Sequence, residues 1–346
     1  QRLTLGDARL LTLDEAREKA AVMAKQVADG IDPKHTRDTA DTQKAITVGN
    51  ILAAFSEAKR GTHSPAYQAK TAQLQRPGAP LHPLLTLQVI GLTPGVLAAW
   101  LKRETAHRPT STALCYRTLR AAMNWAVEVY PGVVPDGLFK SYSVRAAVPR
   151  GKARADCLQR EQLALWFSAV QGIANPVMSG YLQALLLTGA RRTELLELRW
   201  DEVNLHWNTL SLGGRKSPRQ IPLTPHVKAL LTALPRRNDW VFSSPDAKDG
   251  RMQDPHHAHN HALERAGLPH LTLHGLRRSF GTLAEWTDTP SGVIAQIQGH
   301  APSAIAEKHY RRRPLDMLRQ HLVRIEHWML TEAGLAEGLQ PISNRI

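Results

Sequence analysis

The sequence predicts a mainly α-helical protein with one small antiparallel β-sheet, and three observations support this fold class. Apolar residues recur at helical spacing through most of the chain, often after a Ser or Thr that can begin a helix. Residues 209–223 instead have the form of two short strands joined by a Gly-rich turn. A basic segment with Pro and Gly, residues 149–155, separates a helical part from a mixed part and is predicted to be a linker.

The first segment, residues 1–46, is expected to consist of a helix and a connector. A Thr-Leu-Asp-Glu sequence beginning at Thr12 has the form of a capping box, and an Ala-rich stretch follows it to about Ala28. Gly30 is in position to end this helix. The segment is too short to bury a core of its own.

Residues 47–148 are predicted to form a bundle of four or five helices around Trp100 and Trp125. Ser64 and Thr93 each stand directly before a Pro, which is the pattern of an N-cap followed by the first helical residue. With 346 residues and 42% hydrophobic content, the chain can form two or three domains with separate cores.

Residues 156–333 are predicted to form the mixed helical and β part, and residues 334–346 a tail. The predicted elements are helices over 161–171 and 179–187, and strands over 209–212, 220–223 and 240–242. The amphipathic pattern from Leu315 to Leu330 predicts a late helix. Two placements stay open for this helix, since it can pack on its own domain or on a neighbouring protomer.

Composition restricts the class of partner and compartment. The net charge of +14 favours a polyanion, and nucleic acid above all, because Lys and Arg that neutralise phosphates release counterions. No apolar run approaches the ~18 residues of a membrane helix, so a cytoplasmic protein is expected. The two cysteines, Cys115 and Cys157, are too few for a disulfide scaffold, and Cys115 fits a small core residue.

Four short segments of the mixed part place polar residues at the ends or on the faces of predicted elements. The first segment puts Arg191 at a helix start after a tight turn, where backbone amides and a guanidinium group favour an anion. The second puts Lys216 near the tip of the predicted hairpin, where an ammonium group can protonate a leaving group. Taken singly, each residue is more often an ordinary solvated cation.

The third segment places His274 and Arg277 three residues apart on one face of a helix that Thr272 can cap. An imidazole beside a guanidinium group suits a phosphate. The fourth segment is a Gly-His pair that ends at His300 and is followed by Tyr310 ten residues later. A single Tyr is far more often a core residue than a nucleophile, so only the whole set and its order carry weight.

In this order the four segments resemble the catalytic domain of tyrosine recombinases of the phage integrase type, over about half the chain. The implied catalytic residues are Arg191, Lys216, His274, Arg277, His300 and Tyr310, with Glu194 as structural support. The resemblance implies that the two Arg bind the scissile phosphate, that the Lys is the acid and that both His assist. The Tyr would then attack to give a 3′-phosphotyrosine. Arg215 is the alternative to Lys216 at the hairpin.

The resemblance extends to the rest of the chain. Residues 47–148 are similar to the helical core-DNA-binding domain of the family, and residues 1–46 to the end of an arm-binding domain of satellite-phage or genomic-island integrases. It implies double-stranded DNA as partner, a homotetramer on that DNA, accessory bending or excision factors, and no metal, ATP or other cofactor. We further expect a nucleoid-associated protein whose linker residues Arg150, Lys152 and Arg154 follow the DNA backbone.

Three alternatives remain at this stage. His257 and His261 lie four residues apart and can chelate zinc on a helix face, although a polar helix is the simpler interpretation. A type IB topoisomerase uses similar Tyr chemistry, but the separate helical domain argues against it. A DNA-binding protein that has lost catalysis is disfavoured because all six chemical positions are filled.

Overall fold

The computed structural model divides the chain into two units, residues 1–153 and residues 154–346, and each has its own hydrophobic core. The predicted fold class, mainly α with a small antiparallel sheet, is confirmed. No helix in the described part of the chain has the length and apolar character that crossing a membrane requires. The structure describes residues 7, 9–29, 45–151, 154–214, 219–300 and 313–336.

The regular elements in the described residues of the first unit are helices. Its helices are α1 (Leu13–Ala28), α2 (Val48–Ala58), α3 (Pro65–Gln73), α4 (Pro94–His107), α5 (Pro109–Val129) and α6 (Tyr142–Ala147), with 3₁₀ turns at His82–Leu84 and Val89–Gly91. The predicted caps are confirmed. Both capping-box bonds form at Thr12. Ser64 and Thr93 each precede a Pro in the first turn, and the side chain of each accepts from a backbone amide of that turn. None of the residues of α1 is buried, so this helix adds nothing to the core.

Trp100 is the centre of the first core and Trp125 is not. Trp100 is 2% exposed, and its indole N–H donates to the carbonyl of Pro80 at 2.8 Å. Trp125 is only half-buried and lies at the edge of the bundle, with its ring 5.8 Å from that of Phe55 and 6.0 Å from that of Tyr130. The prediction for Trp125 was wrong because helical spacing gives the inward face but not the depth. Cys115 is fully buried in this core, as expected.

The second unit surrounds one central helix with its other elements. Its helices are α7 (Leu163–Gln171), α8 (Pro176–Thr188), α9 (Arg192–Leu196), α10 (Pro225–Ala233), α11 (His256–Arg265), α12 (Leu273–Ala284), α13 (Ser291–Gln298) and α14 (Leu315–Glu332), with 3₁₀ turns at Arg160–Gln162, Trp200–Glu202 and Glu285–Thr287. Nearly every residue of α8 is buried, as expected of a helix that is covered on all sides.

The sheet is antiparallel in the order β1 (Val203–Asn204), β2 (Thr209–Leu212), β3 (Arg219–Pro222). The predicted hairpin is therefore confirmed within one residue. The predicted strand over 240–242 is wrong, because Trp240 forms only an isolated bridge to Arg199 and Val241 adds one bond to Leu198. Those apolar residues are buried by side-chain packing and not by a strand ladder.

The C-terminal helix α14 packs on its own unit, which is one of the two placements predicted for it. Leu318, Leu322 and Ile325 are buried in the core of that unit. Glu326 is 2% exposed and accepts from Thr224 and from the backbone N–H of His226, so it caps the start of α10. The apolar stripe is thus used within the chain.

Candidate active site

Helix α12 places an imidazole and a guanidinium group side by side, next to its core contacts. Thr272 caps the helix by accepting from the N–H of Gly275 at 2.9 Å. Leu276 and Phe280 are fully buried, and His274 and Arg277, one turn apart, lie side by side next to this buried face. Arg277 is only 4% exposed and donates to the carbonyl of Gly189 at 2.8 Å, whereas His274 is exposed.

Arg191 stands at the start of α9, directly after the turn that ends α8. Glu194 accepts from the backbone N–H of Arg191 at 2.8 Å and from its guanidinium Nη1 at 2.7 Å. The other terminal nitrogen of Arg191 donates to the carbonyl of Gly299 at 2.8 Å. Because both ends of the guanidinium group are held, its orientation is set by the protein before any ligand binds.

The turn that carries His300 is bonded to both arginines. Gly299 ends α13 with a φ of +69°, a conformation that favours Gly. The preceding Gln298 donates to the backbone carbonyl of Arg277 at 2.7 Å. The carbonyl of Gly299 receives Arg191, as described above. These bonds bring the starts of α9 and α12 and the end of α13 to one place, although they are far apart in the sequence.

A cavity of about 470 Å³ opens at this junction. Its lining includes Arg154, Cys157, His274, Arg277, Gln298 and His300. Two exposed imidazoles thus stand beside a nearly buried guanidinium group, and Arg191 lies close enough for its charge to act on Arg277 and His300.

The clustered cations perturb one another. Burial, followed by the charges of Arg191 and Arg219, lowers the pKa of Arg277 to about 10. Burial and nearby arginines also lower the pKa of His274 and of His300, which favours neutral imidazoles. The site therefore combines permanent positive charge with neutral groups that can accept or pass on a proton, and a phosphate monoanion would relieve the repulsion.

Glu194 balances part of this charge. Burial alone would raise the pKa of Glu194, but hydrogen bonds from Arg219 and Arg191 outweigh it and lower the pKa to about 2. Glu194 is thus an anion that orients two arginines, which fits the structural role expected for it from the sequence.

The structure brings together Arg191, Glu194, His274, Arg277 and His300 of the predicted site residues. Lys216, Tyr310 and Lys152 lie outside the described residues. Arg154 lines the cavity, whereas Arg150 is an exposed residue of the first unit.

Two histidines of the His-rich helix α11 bond to other side chains. His259 is buried and accepts from the indole N–H of Trp166 at 3.1 Å, and His256 bonds to Arg192. Within the described residues no group of three or more His, Cys, Asp or Glu side chains is gathered to hold a metal ion.

Two residues of the site were missed from the sequence. Arg219 on β3 binds Glu194 with two hydrogen bonds, and its position two residues before the buried Ile221 was the available signal, since i and i+2 share a strand face. Asp156 accepts from Thr272 and Arg278 and so holds the start of α12. Nothing local to Asp156 indicates this contact, which joins residues more than a hundred positions apart.

The sequence matches three family models and a known protein. The Phage integrase family model matches residues 162–314, the Phage integrase core-binding domain model matches residues 37–146, and the Arm DNA-binding domain model matches residues 1–40. The chain is 41% identical to the prophage integrase IntF of Escherichia coli strain K12, over 96% of this chain and 80% of that protein.

Solved structures agree in fold. The Tn1549 transposon integrase in complex with circular intermediate DNA aligns with a TM-score of 0.63 at 17% identity, over 80% of this chain and 99% of that one. A lambda integrase from a tetramer bound to a Holliday junction aligns with a TM-score of 0.60 at 16% identity, over 88% and 91% of the two chains. At this level of identity the likeness establishes the architecture alone.

Proposed function

The chain belongs to the phage integrase family and is a tyrosine-type site-specific recombinase, and on that premise we propose that Tyr310 is its nucleophile and that Arg191 and Arg277 bind the scissile phosphate. The observation that carries this proposal is the cavity lined by Arg277, His274 and His300, beside which Arg191 is held by its bond to the Gly299 carbonyl. Such an enzyme integrates or excises a mobile element by cleaving and rejoining DNA.

The chemistry follows from the charges. A DNA phosphodiester resists attack because its anionic oxygens repel nucleophiles, and two fixed guanidinium groups offset that charge and the charge that develops in the pentavalent transition state. Arg191 is 42% exposed in its side chain, so it can meet a phosphate while Glu194 and Gly299 hold it. Removing one preorganised donor of this kind typically lowers the rate by about 10²–10³-fold.

Proton transfer is the remaining requirement. Tyrosine has an ordinary pKa of ~10 and must lose its proton on attack, so a neutral imidazole of His274 or His300 is suited to receive it. We assign protonation of the departing 5′ oxygen to Lys216. The attack forms a bond from the Tyr310 oxygen to phosphorus as the bond to the 5′ oxygen breaks. The phosphotyrosine conserves the phosphoester bond for rejoining, so the exchange needs no ATP.

The wider assembly is part of the proposal. We assign residues 47–148 to core-DNA binding and residues 156–333 to catalysis, which the matches to residues 37–146 and 162–314 support. Double-stranded DNA as partner and a tetramer on it are supported by the net charge of +14 and by the lambda integrase tetramer on a Holliday junction. We also propose action at the bacterial nucleoid, with Arg154 near the DNA backbone and accessory bending or excision factors.

The test begins with the DNA. Sequencing the junctions formed by the protein defines its site, and a nicked duplex of that site then traps the covalent complex, which is scored on a denaturing gel. Wild type should form the complex and Tyr310→Phe should form none. A covalent complex with Tyr310→Phe would remove the nucleophile assignment. Relaxation of a plasmid without that site would instead favour a topoisomerase.

A further inference from the structure

Arg219, at the start of β3, is a nearly buried cation that makes three hydrogen bonds to two separate parts of the candidate active site. Its Nη1 and Nη2 donate to Oε1 and Oε2 of Glu194 at 2.5 and 2.8 Å. Its Nε donates to the backbone carbonyl of Ile297, in the last turn of α13, at 3.1 Å. The side chain is 12% exposed, so solvent screens these bonds weakly.

The first contact controls Arg191 through a shared carboxylate. Oε1 of Glu194 accepts from both Arg191 and Arg219, and the carboxylate is 8% exposed. Without Arg219, Glu194 would be left largely buried with one cation. It would then draw Arg191 toward itself or take up a proton, and either change would move the guanidinium group that is assigned to the phosphate.

The second contact controls the turn of His300. The Arg219 side chain packs so closely on Gly299 that a Cβ added there would lie 2.8 Å from Cδ and 2.9 Å from Nε of Arg219. Gly299 is also the residue whose carbonyl receives Arg191. One side chain therefore sets the distance between the Arg191 guanidinium group and the turn that carries His300.

We propose that Arg219 is a positioning residue for DNA cleavage, which holds Arg191 through Glu194 and His300 through the α13 turn without itself binding the phosphate. This inference rests on the proposed function, because it requires that Arg191 and His300 act on DNA. In the sequence Arg219 follows Lys216 by three residues. The strand that follows the predicted hairpin lysine is therefore also the strand that contacts the phosphate-binding arginines through Glu194.

Two substitutions separate positioning from charge. Arg219→Lys keeps a cation but loses the planar two-bond fork to Glu194. Arg219→Gln loses both. On the nicked duplex defined above, we expect the single-turnover rate of covalent-complex formation to fall by about 10²-fold in Arg219→Gln, the scale of an effect of about 1 Å misplacement. Arg219→Lys should be intermediate. Affinity for the same duplex should stay near wild type in both.

The pH profile supplies a readout that a purely structural ion pair would not move. His300 faces Arg277, Arg191, Arg219 and His274, and after burial the three arginines lower its pKa. Loss of the charge in Arg219→Gln should raise that pKa and shift the limb of the rate profile governed by His300 to higher pH. Arg219→Lys should lower the rate and leave the limb in place.

Arg199→Gln is the matched control. Arg199 is in the same unit, is 42% exposed and pairs with Asp239 and Asp201 at the surface. The variant should therefore cleave DNA at the wild-type rate. If wild type forms no complex on the duplex, the proposed function fails. If both Arg219 variants cleave as fast as wild type and Arg199→Gln, the positioning role is refuted. Should Arg219→Gln not fold, the rate and pH limb of Arg219→Lys decide.

Discussion

Gly189 links the packing of the second unit to its chemistry, and Gly189→Ala should damage both. Gly189 ends α8 with a φ of +59°, and its carbonyl accepts from Arg277. A Cβ at this position would lie 2.5 Å from Cδ1 and 2.7 Å from Cγ of Phe280. Phe280 is fully buried and lies three residues after Arg277 in α12, so a displaced ring also displaces the phosphate-binding helix.

The magnitude has two parts. An Ala residue in the left-handed conformation costs about 1–2 kcal/mol. Forcing extra volume into a packed core adds about 1–3 kcal/mol, because ring and backbone must shift out of their preferred positions. We therefore expect Gly189→Ala to lower the free energy of unfolding by about 2–5 kcal/mol. The rate of covalent-complex formation should fall as well, since the bond between Arg277 and the Gly189 carbonyl is disturbed.

Gly267→Ala isolates the backbone part of this effect. Gly267 has a φ of +65° in the same unit, and among the described residues no heavy atom lies within 4 Å of the added Cβ. Urea unfolding should therefore give Gly267→Ala a loss of only about 1–2 kcal/mol, with cleavage like wild type. If Gly189→Ala loses no more stability than Gly267→Ala, the clash with Phe280 carries no energy and the reasoning is refuted.

Three further predictions concern the buried carboxylates and α14. Glu194 contributes stability above its ordinary pKa of 4.5, and this contribution disappears as pH falls toward its folded pKa of about 2. Glu194→Gln should therefore flatten the acid dependence of the urea midpoint. Glu326→Ala should lose about 1–3 kcal/mol by leaving buried donors unsatisfied, whereas Glu326→Gln should lose less, because burial already raises the pKa of this carboxyl. Leu322→Ala should lose about 2–5 kcal/mol at every protein concentration, and a midpoint that rises with concentration would place the contact between chains.

Local rules sufficed where a single element sets the geometry. The Thr272 cap, the buried Leu276 and Phe280, and the side-by-side placement of His274 and Arg277 all follow from helical spacing and capping within one helix. The N-caps of the first unit were predictable for the same reason. These features depend on contacts over three or four residues, for which the sequence holds all the information needed.

The rest depends on tertiary contacts that no local pattern encodes. Arg219 reaches Glu194 across 25 positions, and Arg191 reaches Gly299 across 108. Trp240 and Phe242 have strand-like composition, yet the backbone near them forms only isolated bridges. The third strand of the sheet is instead β1, which pairs with β2. In each case the sequence restricts the residue type, and the partner is decided by packing between elements.

The electrostatics explain why a buried carboxylate belongs in a site built to attract phosphate. Burial, followed by the charges of Arg191 and Arg219, lowers the pKa of Arg277 to about 10, so an arginine cluster alone would tend to separate. Glu194 offsets one charge and bonds two of the three arginines, which keeps the cluster together before DNA binds. Of the three, Arg277 lines the cavity, so positive charge is left there. Fixed in this way, the cations need no rearrangement as charge develops on the phosphate, which is the condition under which such groups accelerate a reaction most.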